Sequence, residues 1–165
     1  MSKVCGTGGV SCGAVMAGLQ LQYSLDKAAH VRETWEYNLP EGTFIHNTAR
    51  QFLRVNDTRK ELKVDVLHLS PPCQTFSVAH TTVGRNDAQN EAPMRLIARL
   101  IQKATPRIVT LEQSDAFLNS RNVDLLGATL YSFTKLGFSI KYKYMAFEKY
   151  GLPQSRHRLV IIAAW

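Results

Sequence analysis

The sequence has little of what membrane or secreted proteins are built from. Its longest apolar run, residues 159–165, is seven residues, against the roughly 20 that a membrane-spanning helix needs. The opening Met1-Ser2-Lys3-Val4-Cys5-Gly6 has no apolar stretch of the kind a secretory signal carries. Three cysteines, Cys5, Cys12 and Cys73, are too few and too odd in number for a disulfide framework. A reducing compartment is therefore expected, and no metal is needed to hold the fold. No internal repeat, low-complexity tract or long block of like charge is present.

What remains is an ordinary globular composition. The chain has 165 residues, 45% of them hydrophobic, which fits one domain spanning 1–165 with a real core. Twenty Lys and Arg against thirteen Asp and Glu leave a net charge of +7. That permits a polyanionic partner and equally describes a solvated basic surface. Short apolar runs alternate with longer amphipathic ones, the pattern of an α/β domain with a mostly parallel sheet. Strands are expected at 21–25, 43–46, 64–69, 107–111, 139–145 and 158–163. Helices are expected at 11–18, 28–38, 91–103 and 123–136, the first capped by Ser11. The last two strands have no clear helix between them, so they are expected as an antiparallel pair at one sheet edge.

Two segments stand out chemically. Gly6-Thr7-Gly8-Gly9-Val10-Ser11-Cys12-Gly13 lies where a first strand turns into a helix. Glycines there allow a tight turn and close approach of a ligand, and free amides at the helix start suit an anion. Structural turns in α/β domains use glycine in the same way. The second segment is Ser70-Pro71-Pro72-Cys73-Gln74-Thr75-Phe76-Ser77, immediately after a buried strand. Two prolines stop the ladder and fix the chain direction, presenting Cys73 at the carboxyl edge of the sheet. A lone cysteine is commonly a small buried hydrophobe; this setting also suits a nucleophile.

The Pro71 to Ser77 segment resembles the catalytic loop of the DNA cytosine-5 methyltransferases. Three further segments match that family in order. Gly6 to Gly13 resembles its S-adenosylmethionine loop, Val109-Thr110-Leu111-Glu112-Gln113-Ser114 its strand-plus-glutamate motif, and Gln154-Ser155-Arg156-His157-Arg158 its Gln-x-Arg-x-Arg motif. Gln113, where most members carry asparagine, is similar to a fungal branch linked to silencing of repeated DNA. The resemblance implies a Rossmann-like, S-adenosylmethionine-dependent fold and methyl transfer to C5 of a cytosine flipped out of DNA. Cys73 would attack C6, Glu112 would relieve charge at N3, and Arg156 and Arg158 would hold the base oxygen and a phosphate or the adduct. Gly6, Gly8, Gly9, Ser11, Asp26 and Pro72 would hold the cofactor. Gln74 and Ser77 would meet the substrate, and Gln154 would brace the loop. DNA as partner, with chromatin or methyltransferase subunits as further ones, follows from the same resemblance, as does a nuclear location in a eukaryote and otherwise a cytoplasmic one.

The chain also departs from that pattern. Ser2-Lys3-Val4 stands in place of Asp-x-Phe. The register favours Ser24 over Asp26 at the position of the acidic ribose contact, and Asn47-Thr48 carries no carboxylate to face the adenine. The resemblance ends at Trp165, before the target-recognition region and the final helix of the family. The expectation is thus a catalytic core without a recognition lobe, binding cofactor weakly and DNA without sequence preference. Two other readings fit the same residues: a non-catalytic paralogue serving as a binding or regulatory partner, and an RNA cytosine-5 methyltransferase. A dinucleotide-dependent oxidoreductase would leave Pro71-Pro72-Cys73-Gln74 unexplained.

Overall fold

The computed structural model describes residues 2–3, 5–55, 62–71 and 96–165. A seven-stranded sheet runs in the order β3-β2-β1-β4-β5-β7-β6. Its strands are β1 (Ser2–Lys3), β2 (Tyr23–Asp26), β3 (Thr43–His46), β4 (Val66–Leu69), β5 (Ile108–Ser114), β6 (Ser139–Ala146) and β7 (His157–Ala164). The first five are mutually parallel, and β7 is antiparallel to both β5 and β6. The expected antiparallel pair at one edge is therefore present, with β6 outermost. Strand order reverses between β1 and β4, the kind of point where open α/β sheets bind ligands at their carboxyl ends.

Burial explains the layering. Leu67 and Leu69 of β4, Val109 and Leu111 of β5 and Leu159, Ile161 and Ala163 of β7 alternate into one core. Three helices close over it: α3 (Ala49–Val55) through Phe52 and Leu53, α4 (Ile97–Ala104) through Leu100 and Ile101, and α5 (Val123–Thr134) through Phe133. In α4 the buried positions Ile97, Leu100, Ile101 and Ala104 recur at helical spacing, which makes it a helix with one apolar stripe. A smaller cluster around Trp35 joins α2 (Arg32–Asn38) to Cys5, Cys12 and Phe44 beside α1 (Gly9–Met16).

The departures from expectation have local causes. Ser11 does not cap α1. Gly8, at φ 100°, precedes the helix, and Ser11 is buried inside it with its hydroxyl 3.3 Å from that of Ser24. The expected helix at 28–38 opens as a 3-10 turn, Ala29–Val31, before α2. Helix α3 was not expected; Thr48 and Gln51 cap it reciprocally, with Gln51 N donating to Thr48 Oγ1 at 3.1 Å and Thr48 N to Gln51 Oε1 at 2.9 Å. Strand β5 runs three residues past its expected end. Its parallel partner β4 stops at Leu69 opposite Leu111, while β7 pairs with all seven residues through Ser114. Residues 91–95 of the expected third helix lie outside the described residues.

Candidate active site

The far end of β5 carries Glu112, and three side chains from two other segments converge on it. Arg158 Nε lies 2.7 Å from Oε1 and Arg156 Nη2 donates to the same oxygen at 3.3 Å. Ser70, the first residue after β4, donates its hydroxyl to Oε2 at 3.0 Å. The Arg158 Nε–H is not aligned on Oε1, so that close contact is coulombic, while Arg158 Nη1 donates to the His157 carbonyl at 2.6 Å. Side-chain exposure is 18% for Arg158, 21% for Glu112 and 40% for Arg156. Water screens the Arg156 contact most, so the Arg158 pair contributes more. Arg156 and Arg158 share one face of the extended chain, as their spacing predicts. His157 turns the other way, its Nε2 2.9 Å from Glu148 Oε1 and its ring 5.3 Å from that of Tyr144.

Gln113 points to the opposite face and is fully buried. Its Nε2 donates to the Pro71 carbonyl at 3.1 Å and its Oε1 accepts from Ser114 N at 3.1 Å. Two residues before Ser70, His68 Nδ1 lies 2.8 Å from Thr110 Oγ1. Burial pushes the His68 imidazole down to about 4, against the opposing pull of Glu112. It is therefore neutral at physiological pH, and its buried Nε2 has no hydrogen-bond partner among the described residues.

A second group of residues surrounds the glycine turn. Gly6 has φ 50°, and Asp26 at the end of β2 accepts Gly6 N on Oδ2 and Ala28 N on Oδ1, both at 2.9 Å. Of the two candidates, Asp26 is the one that touches the glycine turn. Ser24 is fully buried in the middle of the strand against Ser11, and Asp26 is the residue brought to the turn. Gly8 is glycine for packing reasons, since a Cβ there would stand 2.9 Å from Leu39 Cδ1 and 3.0 Å from Trp35 Cδ1. Among the described residues, a Cβ at Gly6 or Gly9 would meet nothing within 4 Å. Thr48 is committed to capping α3.

The arrangement thus brings together Glu112, Arg156 and Arg158, and separately Asp26 with the glycine turn. Gln154 is exposed, its backbone amide donating to Leu152 O at 2.8 Å. Pro72, Cys73, Gln74 and Ser77 lie outside the described residues. Sequence reasoning assigned no role to Ser70 and saw in Gln113 only a departure from a pattern. The missing signal was the β4–β5 register, which sets Ser70 beside Glu112 and Pro71 beside Gln113. Among the described residues no cluster of three or more His, Cys, Asp or Glu could hold a metal, and no helix is long and apolar enough to cross a membrane.

Comparison with known proteins gives a consistent result. The family model described as C-5 cytosine-specific DNA methylase matches residues 1–164. The type II methyltransferase M1.HphI of Haemophilus parahaemolyticus is 27% identical over 162 residues, covering 95% of this chain and 43% of that protein. M.HhaI of the same organism is 26% identical over 160 residues, covering 95% and 46%. The chain spans less than half the length of these two relatives. The structure of Spodoptera frugiperda DNMT2 superposes with a TM-score of 0.73 at 22% identity, over 99% of this chain and 49% of that one. At that identity the likeness is one of fold.

Proposed function

The chain belongs to the C-5 cytosine-specific DNA methylase family, and on that premise we propose that it is a catalytic core methylating cytosine at C5 in DNA through a transient bond from Cys73 to C6. The observation that carries this reading is the Glu112 carboxyl group, fastened at the carboxyl edge of the sheet by two arginines and Ser70. It stands immediately beside the segment that leads into Pro72 and Cys73.

Cytosine C5 is a poor nucleophile until something adds at C6. In the proposed reaction the Cys73 thiolate forms a bond to C6, and the displaced electron pair moves through the ring toward N3. Glu112, as the acid, gives its proton to N3, so that C5 becomes enamine-like. C5 then takes the methyl group. Loss of the C5 proton to a base lets the C6–S bond break, and the N3 proton returns to Glu112. Arg156 and Arg158 keep Glu112 oriented throughout. A cytosine inside a duplex cannot reach these groups, so the base must leave the stack, at a cost of roughly a few kcal/mol.

S-adenosylmethionine, when bound, supplies the methyl group as a sulfonium electrophile. The residues present fit it. Among the described residues, open space at Gly6 and Gly9 adjoins the start of α1 at the carboxyl edge, and Asp26 sits against the turn. Gly6, Gly8, Gly9, Ser11, Asp26 and Pro72 would hold it, the Ser11 hydroxyl being already engaged with Ser24.

The test is covalent trapping. DNA carrying 5-fluorocytosine stalls at the adduct, because fluorine cannot leave as a proton. A cofactor-dependent covalent band is expected, lost in Cys73→Ser and retained in Cys5→Ser and Cys12→Ser. A band that survives Cys73→Ser overturns the assignment. Trapping on the matching RNA but not on DNA would move the substrate to RNA.

A further inference from the structure

Strands β4 and β5 remain joined beyond the point where their backbones part. The backbone ladder ends at Leu69 opposite Leu111. Continuing that register sets Ser70 opposite Glu112 and Pro71 opposite Gln113. Proline has no amide hydrogen to extend the ladder, and side chains take over: Ser70 Oγ to Glu112 Oε2 at 3.0 Å, then Gln113 Nε2 to Pro71 O at 3.1 Å. The place of Ser70 beside the carboxyl group is therefore set on both sides, by the backbone ladder before it and by the Gln113–Pro71 bond after it.

The two carboxyl oxygens have unlike surroundings. Oε1 faces two guanidinium groups, which are donors only and offer no acceptor to an O–H on that oxygen. Oε2 faces one hydroxyl. A hydroxyl donates to a carboxylate and, after turning about one bond, accepts from a carboxylic acid. It can stay bonded in both protonation states, which neither an amide hydrogen nor an ammonium group can do.

We propose that Ser70 is a positioning residue for Glu112: it selects Oε2 as the oxygen that carries the transferable proton and holds the group through both protonation states. The proposal rests on the reading of Glu112 as the acid that protonates cytosine N3. In each turnover the proton leaves Oε2 for N3 as sulfur bonds to C6, and it returns to Oε2 when that bond breaks. Ser70 loses no proton in the cycle; its hydroxyl only reverses direction.

A purely structural Ser70, clipping β4 to β5, would affect folding and leave the pH dependence of turnover unaltered. The experiment compares the unmodified protein with Ser70→Ala and Ser70→Thr in methyl transfer to cytosine-containing duplex, across the pH range of activity. For Ser70→Ala, kcat should fall about tenfold or more with KM within twofold, and the pH–rate profile should be displaced. Ser70→Thr, which retains the hydroxyl, should recover to within about threefold with the original profile. If Ser70→Ala does not fold, Ser70→Cys keeps the volume, weakens the hydrogen bond and should show the same displacement. An unmodified protein active on cytosine, with Ser70→Ala and Ser70→Cys matching it, overturns the role of Ser70 alone. So does a loss in Ser70→Ala that Ser70→Thr does not restore, or one whose pH profile stays parallel. An unmodified protein that neither methylates cytosine nor exchanges its C5 hydrogen overturns the parent reading, and this proposal with it.

Discussion

Arg158 and Glu112 meet diagonally across an antiparallel pair. Arg158 is in register with Ser114 and Glu112 with Val160, so the two side chains share a face one step apart along the ladder. Diagonal neighbours of this kind have Cβ atoms about 7 Å apart, within reach of a long side chain. The guanidinium spans the gap and brings Nε to 2.7 Å from Oε1. The β5–β7 pairing is thus also the device that builds the acidic site.

Replacing Glu112 by glutamine should separate chemistry from folding. The amide keeps the shape but can neither give up a proton nor neutralise the arginines. Trapping and methyl transfer should fall at least a hundredfold, as expected for the loss of a positioned general acid. Thermal unfolding should register a loss of about 1 kcal/mol, since the arginines are partly exposed. A variant with undiminished trapping would remove Glu112 from the mechanism.

The two neighbouring glycines should respond in opposite ways. Gly8→Ala puts a Cβ at 2.9 Å from Leu39 and 3.0 Å from Trp35, in a left-handed backbone. It should destabilise the protein by about 2–3 kcal/mol in denaturant titration. Gly9→Ala meets nothing and begins a helix, so stability should hold or rise slightly. Calorimetry with S-adenosylmethionine should nevertheless show weaker binding by Gly9→Ala, because the methyl group enters the space assigned to the ligand.

The buried His68 should make the protein acid-sensitive. Its folded-state pKa is depressed to about 4 from 6.5, so the unfolded chain binds the proton more readily. The stabilisation is complete above pH 6.5 and is lost as pH falls from 6.5 through 4. The full loss is about 3 kcal/mol. Denaturant midpoints should drop over that window, and less steeply in His68→Asn. Equal slopes in both proteins would contradict the assignment.

Cys5 should be the least reactive described thiol. Burial, with the Asp26 carboxylate adding to it, pushes its pKa up to about 12, so almost none of it is thiolate near neutrality. Iodoacetamide at pH 8 should label the half-buried Cys12 well before Cys5 in the folded protein, with the difference vanishing in denaturant. Mass spectrometry of the labelled peptides reads the result.

Much of this protein is local information, legible along the chain. Alternating apolar positions in Leu67, Leu69, Val109, Leu111, Leu159 and Ile161 specify strands, and the stripe of Ile97, Leu100, Ile101 and Ala104 specifies a helix, because side-chain periodicity follows backbone geometry. The order of the four motifs likewise depends on the chain alone, as does the shared face of Arg156 and Arg158. Register does not. Nothing in residues 64–71 or 107–114 says that Ser70 stands opposite Glu112, or that β5 outruns β4 and takes its last three pairs from β7. That Asp26 rather than Ser24 reaches the glycine turn is likewise a contact between distant segments, as is the burial of Ser11 against Ser24 inside a helix that begins at Gly9. Those outcomes arise from contacts between segments far apart in the chain, whose energies no local pattern records. Which residues are present was legible, and tertiary packing decided which of them touch.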